Sequence, residues 1–153
     1  MTRSRDTGRP DADDPQQFLV YHAEDSVIDQ IGPRLRRWRE VESFVESVLI
    51  SPGYLDAFPD APLDVALERR SRSARSSLAV AGGDIILIRD GSWNALTVLH
   101  ELAHLVVATT VPQSEPHGPA FVSTELELVR LRCGFDQYGS LRAAFQSAGV
   151  RIG

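Results

Sequence analysis

The stretch TVLHELAHLVV, residues 97–107, limits the fold more than any other part of the chain. Leu96, Val98, Leu99, Leu102, Ala103, Leu105, Val106 and Val107 surround it with apolar side chains at helical spacing, leaving almost no face for water. A helix of this kind has to be enclosed by other elements. At 153 residues the chain is long enough to supply that enclosure and too short to suggest a second domain. One domain organised around a central helix is expected.

The same helix carries His100, Glu101 and His104. Positions four apart differ by about 40° around a helix axis, so the two imidazoles project together, with Glu101 roughly 100° from His100 and 60° from His104. Polar groups on a buried face cost on the order of several kcal/mol to desolvate unless something compensates, and a divalent cation does so directly. In the pattern H-E-x-x-H, two neutral imidazoles hold Zn²⁺ while the adjacent carboxylate takes a proton from the attacking water. His100 and His104 are therefore candidate metal ligands, and Glu101 is the candidate catalytic base. The competing reading is a pair of core histidines satisfied by ordinary hydrogen bonds. It requires a chance match to the motif in a chain with only four histidines.

A catalytic zinc site takes three protein ligands. His117, in SEPHGPAF, is the leading candidate for the third, because a loop histidine flanked by Pro116, Gly118 and Pro119 is poorly explained by packing. Glu125 and Glu127 on the following helical segment compete with it, and Glu115 is a weaker option. The extended spacing H-E-x-x-H-x-x-G-x-x-H is absent, since Leu105, Val106, Val107, Ala108 and Thr109 follow His104. His22, Tyr54, Tyr138 or an arginine could donate a hydrogen bond to a developing oxyanion.

Around the central helix the pattern reads as α+β. Residues 1–16 are polar and rich in Pro and Asp, which predicts a disordered tail ahead of a domain at 17–153. FLVYH at 18–22 reads as a first strand, and residues 33–51 as an amphipathic helix opened by Pro33. Residues 51–62, with three prolines, read as a loop. Strands follow at 63–70 and on either side of Gly82-Gly83, a pair suited to the positive φ of a tight turn. Ser92 is the expected N-cap of the motif helix, which should run from near Trp93 to about Ala108. Further helices are expected at 119–134 and 140–149. The expectation is a small mixed or antiparallel sheet of three to four strands packed on the buried helix, with helices flanking it. Arg69, Arg70, Arg72 and Arg75 read as a solvated loop.

HELAH, a gap of twelve residues and HGPAF together resemble the SprT-like metallopeptidases, and also a group of predicted bacterial metallohydrolases. The likeness spans about residues 85–131. It implies a zincin-like fold with Zn²⁺ on His100, His104 and His117, Glu101 as general base, and Phe121 packed behind the third ligand. The implied reaction is hydrolysis of a peptide bond in a protein or peptide substrate. An extended substrate would pair with residues 77–81 or 84–88. Two other readings stand beside it: a regulatory protease resembling the ImmA/IrrE group, and a noncatalytic binding module in which zinc only ties helices together.

Composition closes several routes. No apolar run approaches the roughly 18 residues of a membrane span, and residues 1–16 lack the apolar core of a secretory signal. The lone Cys133 excludes an internal disulfide framework and a cysteine-based zinc ribbon, which fits a reducing cytoplasm. A net charge of −5 argues against broad capture of nucleic acid and leaves only a local basic patch for that purpose.

Overall fold

A computed structural model describes residues 13–153. The motif helix is α4, Ala95–Thr110, and every side chain from Ala95 to Val107 except His104 is buried. Its start is fixed by Asn94, whose side-chain oxygen accepts the Thr97 N–H at 2.8 Å, so Asn94 rather than Ser92 is the cap. At the other end Thr109 and Thr110 turn their hydroxyls onto the Val106 carbonyl, extending the helix to Thr110.

Five further α-helices and a sheet surround it. In α2, Trp38–Leu49, the buried Val41, Phe44, Val45, Val48 and Leu49 recur at spacings of three and four and pack toward α4. The helix begins five residues after Pro33. Glu40 Oε1 accepts the backbone N–H groups of Arg36 and Arg37 at 2.8 and 2.9 Å, which satisfies the orphan donors there and sets the first turn at Trp38. Those same bonds hold the Glu40 carboxyl below its ordinary range. The segment read as a proline-rich loop contains a short helix, α3, Pro52–Ala57, capped by Ser51. It buries Tyr54, whose hydroxyl donates to the Pro62 carbonyl at 2.8 Å; burial pushes that phenol up to about 12.

The sheet is β1 (Ala66–Arg70), β2 (Leu78–Val80) and β3 (Ile85–Arg89), in the order β1-β3-β2. β1 runs parallel to β3, from Ala66 opposite Ile85 to Arg70 opposite Arg89, while β2 runs antiparallel with Ala79 opposite Ile86. β3 is thus the inner strand, with Ile86 and Ile88 fully buried, and β2 is an edge strand lying against α4. Between β2 and β3 the chain makes one 3₁₀ turn, Ala81–Gly83, and the positive φ falls on Asp84 at 50°. Neither glycine of the pair adopts it. Asp tolerates this region because its short polar side chain can bond locally.

The remaining helices are α5 (Pro119–Cys133) and α6 (Phe135–Ala148), with Gly134 at φ 95° between them. α6 is longer than its sequence pattern suggests and takes in Tyr138. The expected first strand at 18–22 is instead part of a helix, α1, Gln17–Val27, packed on α6. Val20, Ala23, Glu24 and Val27 share one side of α1 at helical spacing, and a neighbouring helix to cover them outweighs the β preference of the aromatic and branched residues. Residues 1–12 of the expected tail lie outside the described residues. Of the rest, Asp14 and Gln16 are buried, so order begins before the boundary at 17. The architecture is mixed α+β, and the buried apolar side chains form one cluster centred on α4. Among the described residues no helix is long and apolar enough to cross a membrane.

Gly82 and Gly32 should respond oppositely to alanine. Gly82 has no atom within 4 Å of a built Cβ and no positive φ, so Gly82→Ala should be neutral or stabilise by about 0.4–1 kcal/mol. At Gly32, φ is 72° and a Cβ would sit 2.3 Å from the Ala95 Cβ, so Gly32→Ala should cost at least about 2 kcal/mol. Urea unfolding of both variants reads the difference.

Candidate metal centre

Helix α4 presents His100 and His104 one turn apart, and the loop between α4 and α5 brings His117 to meet them. The Nε2 atoms of His104 and His117 lie 3.2 and 3.3 Å from the Nε2 of His100. His100 and His117 are buried and His104 is half-buried. Phe121, in the first turn of α5, sets its ring against all three, with centroids 4.5 Å from His104, 4.8 Å from His100 and 5.0 Å from His117.

The opposite ring nitrogens explain why the Nε2 atoms can converge. His100 Nδ1 lies 2.6 Å from Glu24 Oε2, and His117 Nδ1 lies 2.7 Å from Asp14 Oδ2. An ionised carboxylate only accepts hydrogen bonds, which assigns the Nδ1 proton to each of these two rings; in the neutral form that a metal ligand requires, the lone pair is then on Nε2. With the tautomers so assigned, two lone pairs face each other at 3.3 Å. That arrangement is repulsive when empty of charge and attractive around a cation. Four ligands set tetrahedrally about Zn²⁺ at about 2.0–2.1 Å are roughly 3.3–3.4 Å apart, the separation found here. Carboxylates that hold the outer nitrogen of a ligating histidine fix its tautomer and raise its basicity. The three imidazoles, buried together, can hold a metal ion.

The rival third ligands sit elsewhere. Glu127 pairs with Arg130 through two bonds of 2.6 and 2.9 Å on the outer side of α5. Glu125 is fully buried, but its Oε2 is 3.6 Å from His100 Nδ1, the nitrogen facing away from the convergence point. Glu24, His100 and Glu125 thus form an acidic layer behind the first ring. Glu115 is placed 3.6 Å from the Arg151 guanidinium. Glu101 is buried on α4 immediately after His100.

Sequence reasoning missed Asp14, Glu24 and Tyr21. The Tyr21 ring stands edge-on to His117 at 5.1 Å and tilted to His100 at 5.6 Å, half-buried at the margin of the site. Asp14 lies in the expected tail, Tyr21 in the expected strand and Glu24 two residues beyond it. One signal was available: at helical spacing Glu24 falls on the Val20–Ala23–Val27 stripe, and an acid on a buried stripe calls for a partner. Of the candidate oxyanion donors, Tyr54 commits its hydroxyl to Pro62, His22 is exposed on α1, and Tyr138 packs on Phe135 and accepts from Arg142.

Comparison of the chain with protein-family models, with curated proteins and with solved structures finds no match.

His117→Ala should lower zinc affinity by at least about 100-fold, since a three-ligand site becomes a two-ligand one. Glu127→Ala should leave it unchanged. Competition with a chromophoric chelator measures both. Equal loss in the two variants would move the third ligand to α5.

Proposed function

We propose that the chain is a zinc-dependent metallohydrolase of the zincin type, most simply a peptidase, in line with its resemblance to the SprT-like family. The observation that carries this reading is the convergence of three Nε2 atoms, two of them on rings, His100 and His117, whose outer nitrogens are tied to buried carboxylates. A zinc ion held there would supply a Lewis acid and acidify a water toward neutrality. Glu101, adjacent to His100 on the same helix, is assigned the proton: it takes one from the attacking water and returns it to the leaving amine. Burial of that carboxylate, 6% exposed, keeps bulk water from competing for the transfer.

Two features suit a peptide substrate. His104 is the least buried of the three rings, which leaves the open side of the site next to it. β3 is paired on both sides, so of the two segments considered for strand pairing only β2 has a free edge, and β2 lies against α4. An extended peptide added to that edge would satisfy its backbone groups while lying across the helix that bears the histidines. A protein or peptide substrate in the cytoplasm is the setting this reading implies.

Glu101→Gln separates the enzyme from a noncatalytic zinc module. Hydrolysis of unfolded casein should fall by at least about 100-fold while one zinc per chain is retained, as measured by elemental analysis. Wild-type protein that binds zinc and cleaves nothing, or a Glu101→Gln variant as active as wild type, would remove the assignment.

A further inference from the structure

Residues 13–16 reach across the molecule to the loop that holds His117. Asp14 uses both carboxylate oxygens on that single residue. Oδ1 accepts the His117 backbone N–H at 3.1 Å, and Oδ2 accepts from the ring Nδ1 at 2.7 Å. Gln16 takes the third polar group, donating from Nε2 to the His117 carbonyl at 3.0 Å. The same Gln16 amide donates to the Arg151 carbonyl at 3.3 Å, and its Oε1 accepts the Arg151 N–H at 2.5 Å. Gly153 N–H then donates to the Pro119 carbonyl at 3.2 Å, two residues past the histidine.

The three ligating rings are therefore held in different ways. His100 and His104 belong to a buried helix whose backbone bonds fix their Cα positions. His117 belongs to a loop. Its own N–H, its carbonyl and its outer ring nitrogen are all bound by side chains at 14 and 16, more than a hundred positions away in sequence. Asp14 is 6% exposed and Gln16 3%, so these contacts are shielded from water and from the screening that weakens surface pairs.

We infer that Asp14 and Gln16 are positioning residues that seat His117 in the metal centre, and that docking of residues 13–16 and metal uptake are one coupled event. The coupling is reciprocal by linkage: a strap that tightens the metal is itself tightened by the metal, by the same factor. This inference rests on the metal-centre reading and is independent of whether the site hydrolyses anything.

The test uses the full-length chain with Zn²⁺ and, as a spectroscopic stand-in, Co²⁺. Asp14→Ala should weaken zinc binding 10- to 100-fold, the range found for partners of ligating histidines, and should change the visible Co²⁺ absorption that reports ligand geometry. Asp14→Asn, which keeps one acceptor of the two, should fall between Asp14→Ala and wild type. Far-ultraviolet circular dichroism of the metal-free variants should match wild type. In the wild type, zinc should slow amide exchange at Gln17, His117 and Arg151. In Asp14→Ala that protection should vanish while protection along α4 persists. Zinc affinity within about threefold of wild type for Asp14→Ala, or exchange at Gln17 and Arg151 indifferent to zinc in the wild type, would overturn the coupling alone. A wild-type chain that takes up no zinc would overturn the metal centre itself and this inference with it.

Discussion

Two imidazole nitrogens that face each other across 3.3 Å, with their protons drawn to the far side by carboxylates, form the constraint on which the rest of the structure depends. Such a pair is unfavourable in an otherwise apolar interior without positive charge between its members. Every element near the site is arranged around that demand. α4 supplies two rings from a backbone that cannot shift, α5 supplies the aromatic floor on which all three lie, and α1 with the residues before it supplies the acids that orient the protons.

The acids also change how the interior should be regarded electrostatically. Asp14, Glu24, Glu101 and Glu125 are all buried, and no arginine among the described residues is. Carboxylates gathered around the imidazoles make the candidate site more favourable to a doubly charged cation than to a singly charged one. This is the same physics that makes H-E-x-x-H informative in a sequence, extended to residues that the motif does not contain.

What could be read in advance followed from local periodicity. The helix of the motif, the amphipathic stripe of α2, the three strands and the position of α5 all announce themselves at spacings of two or of three and four. His117 was legible because proline and glycine on both sides left it without a packing role. The failures have two causes, distant partners and local competition for the same backbone groups. FLVYH favours a strand locally, but α6, more than a hundred residues later, covers the Val20–Ala23–Glu24 side and makes it helix. Pro33 could have opened a helix, but Glu40 captured the backbone donors of Arg36 and Arg37 and moved the start. Gly82 and Gly83 looked like the strained positions of a turn whose positive φ in fact falls on Asp84. The partners of Asp14 and Glu24 lie 103 and 76 positions away, so no window of sequence contains both members of either pair, and only Glu24, an acid on an apolar stripe, left a local trace.

The clasp made by Gln16 joins the beginning of the described chain to Arg151, near its other end, through the carbonyl of a metal-site histidine. A contact between positions 135 apart is among the last that a growing polypeptide can make, because the second partner is still unsynthesised when the first leaves the ribosome. The Gln16 support of the His117 loop therefore cannot be complete until residue 151 has been made.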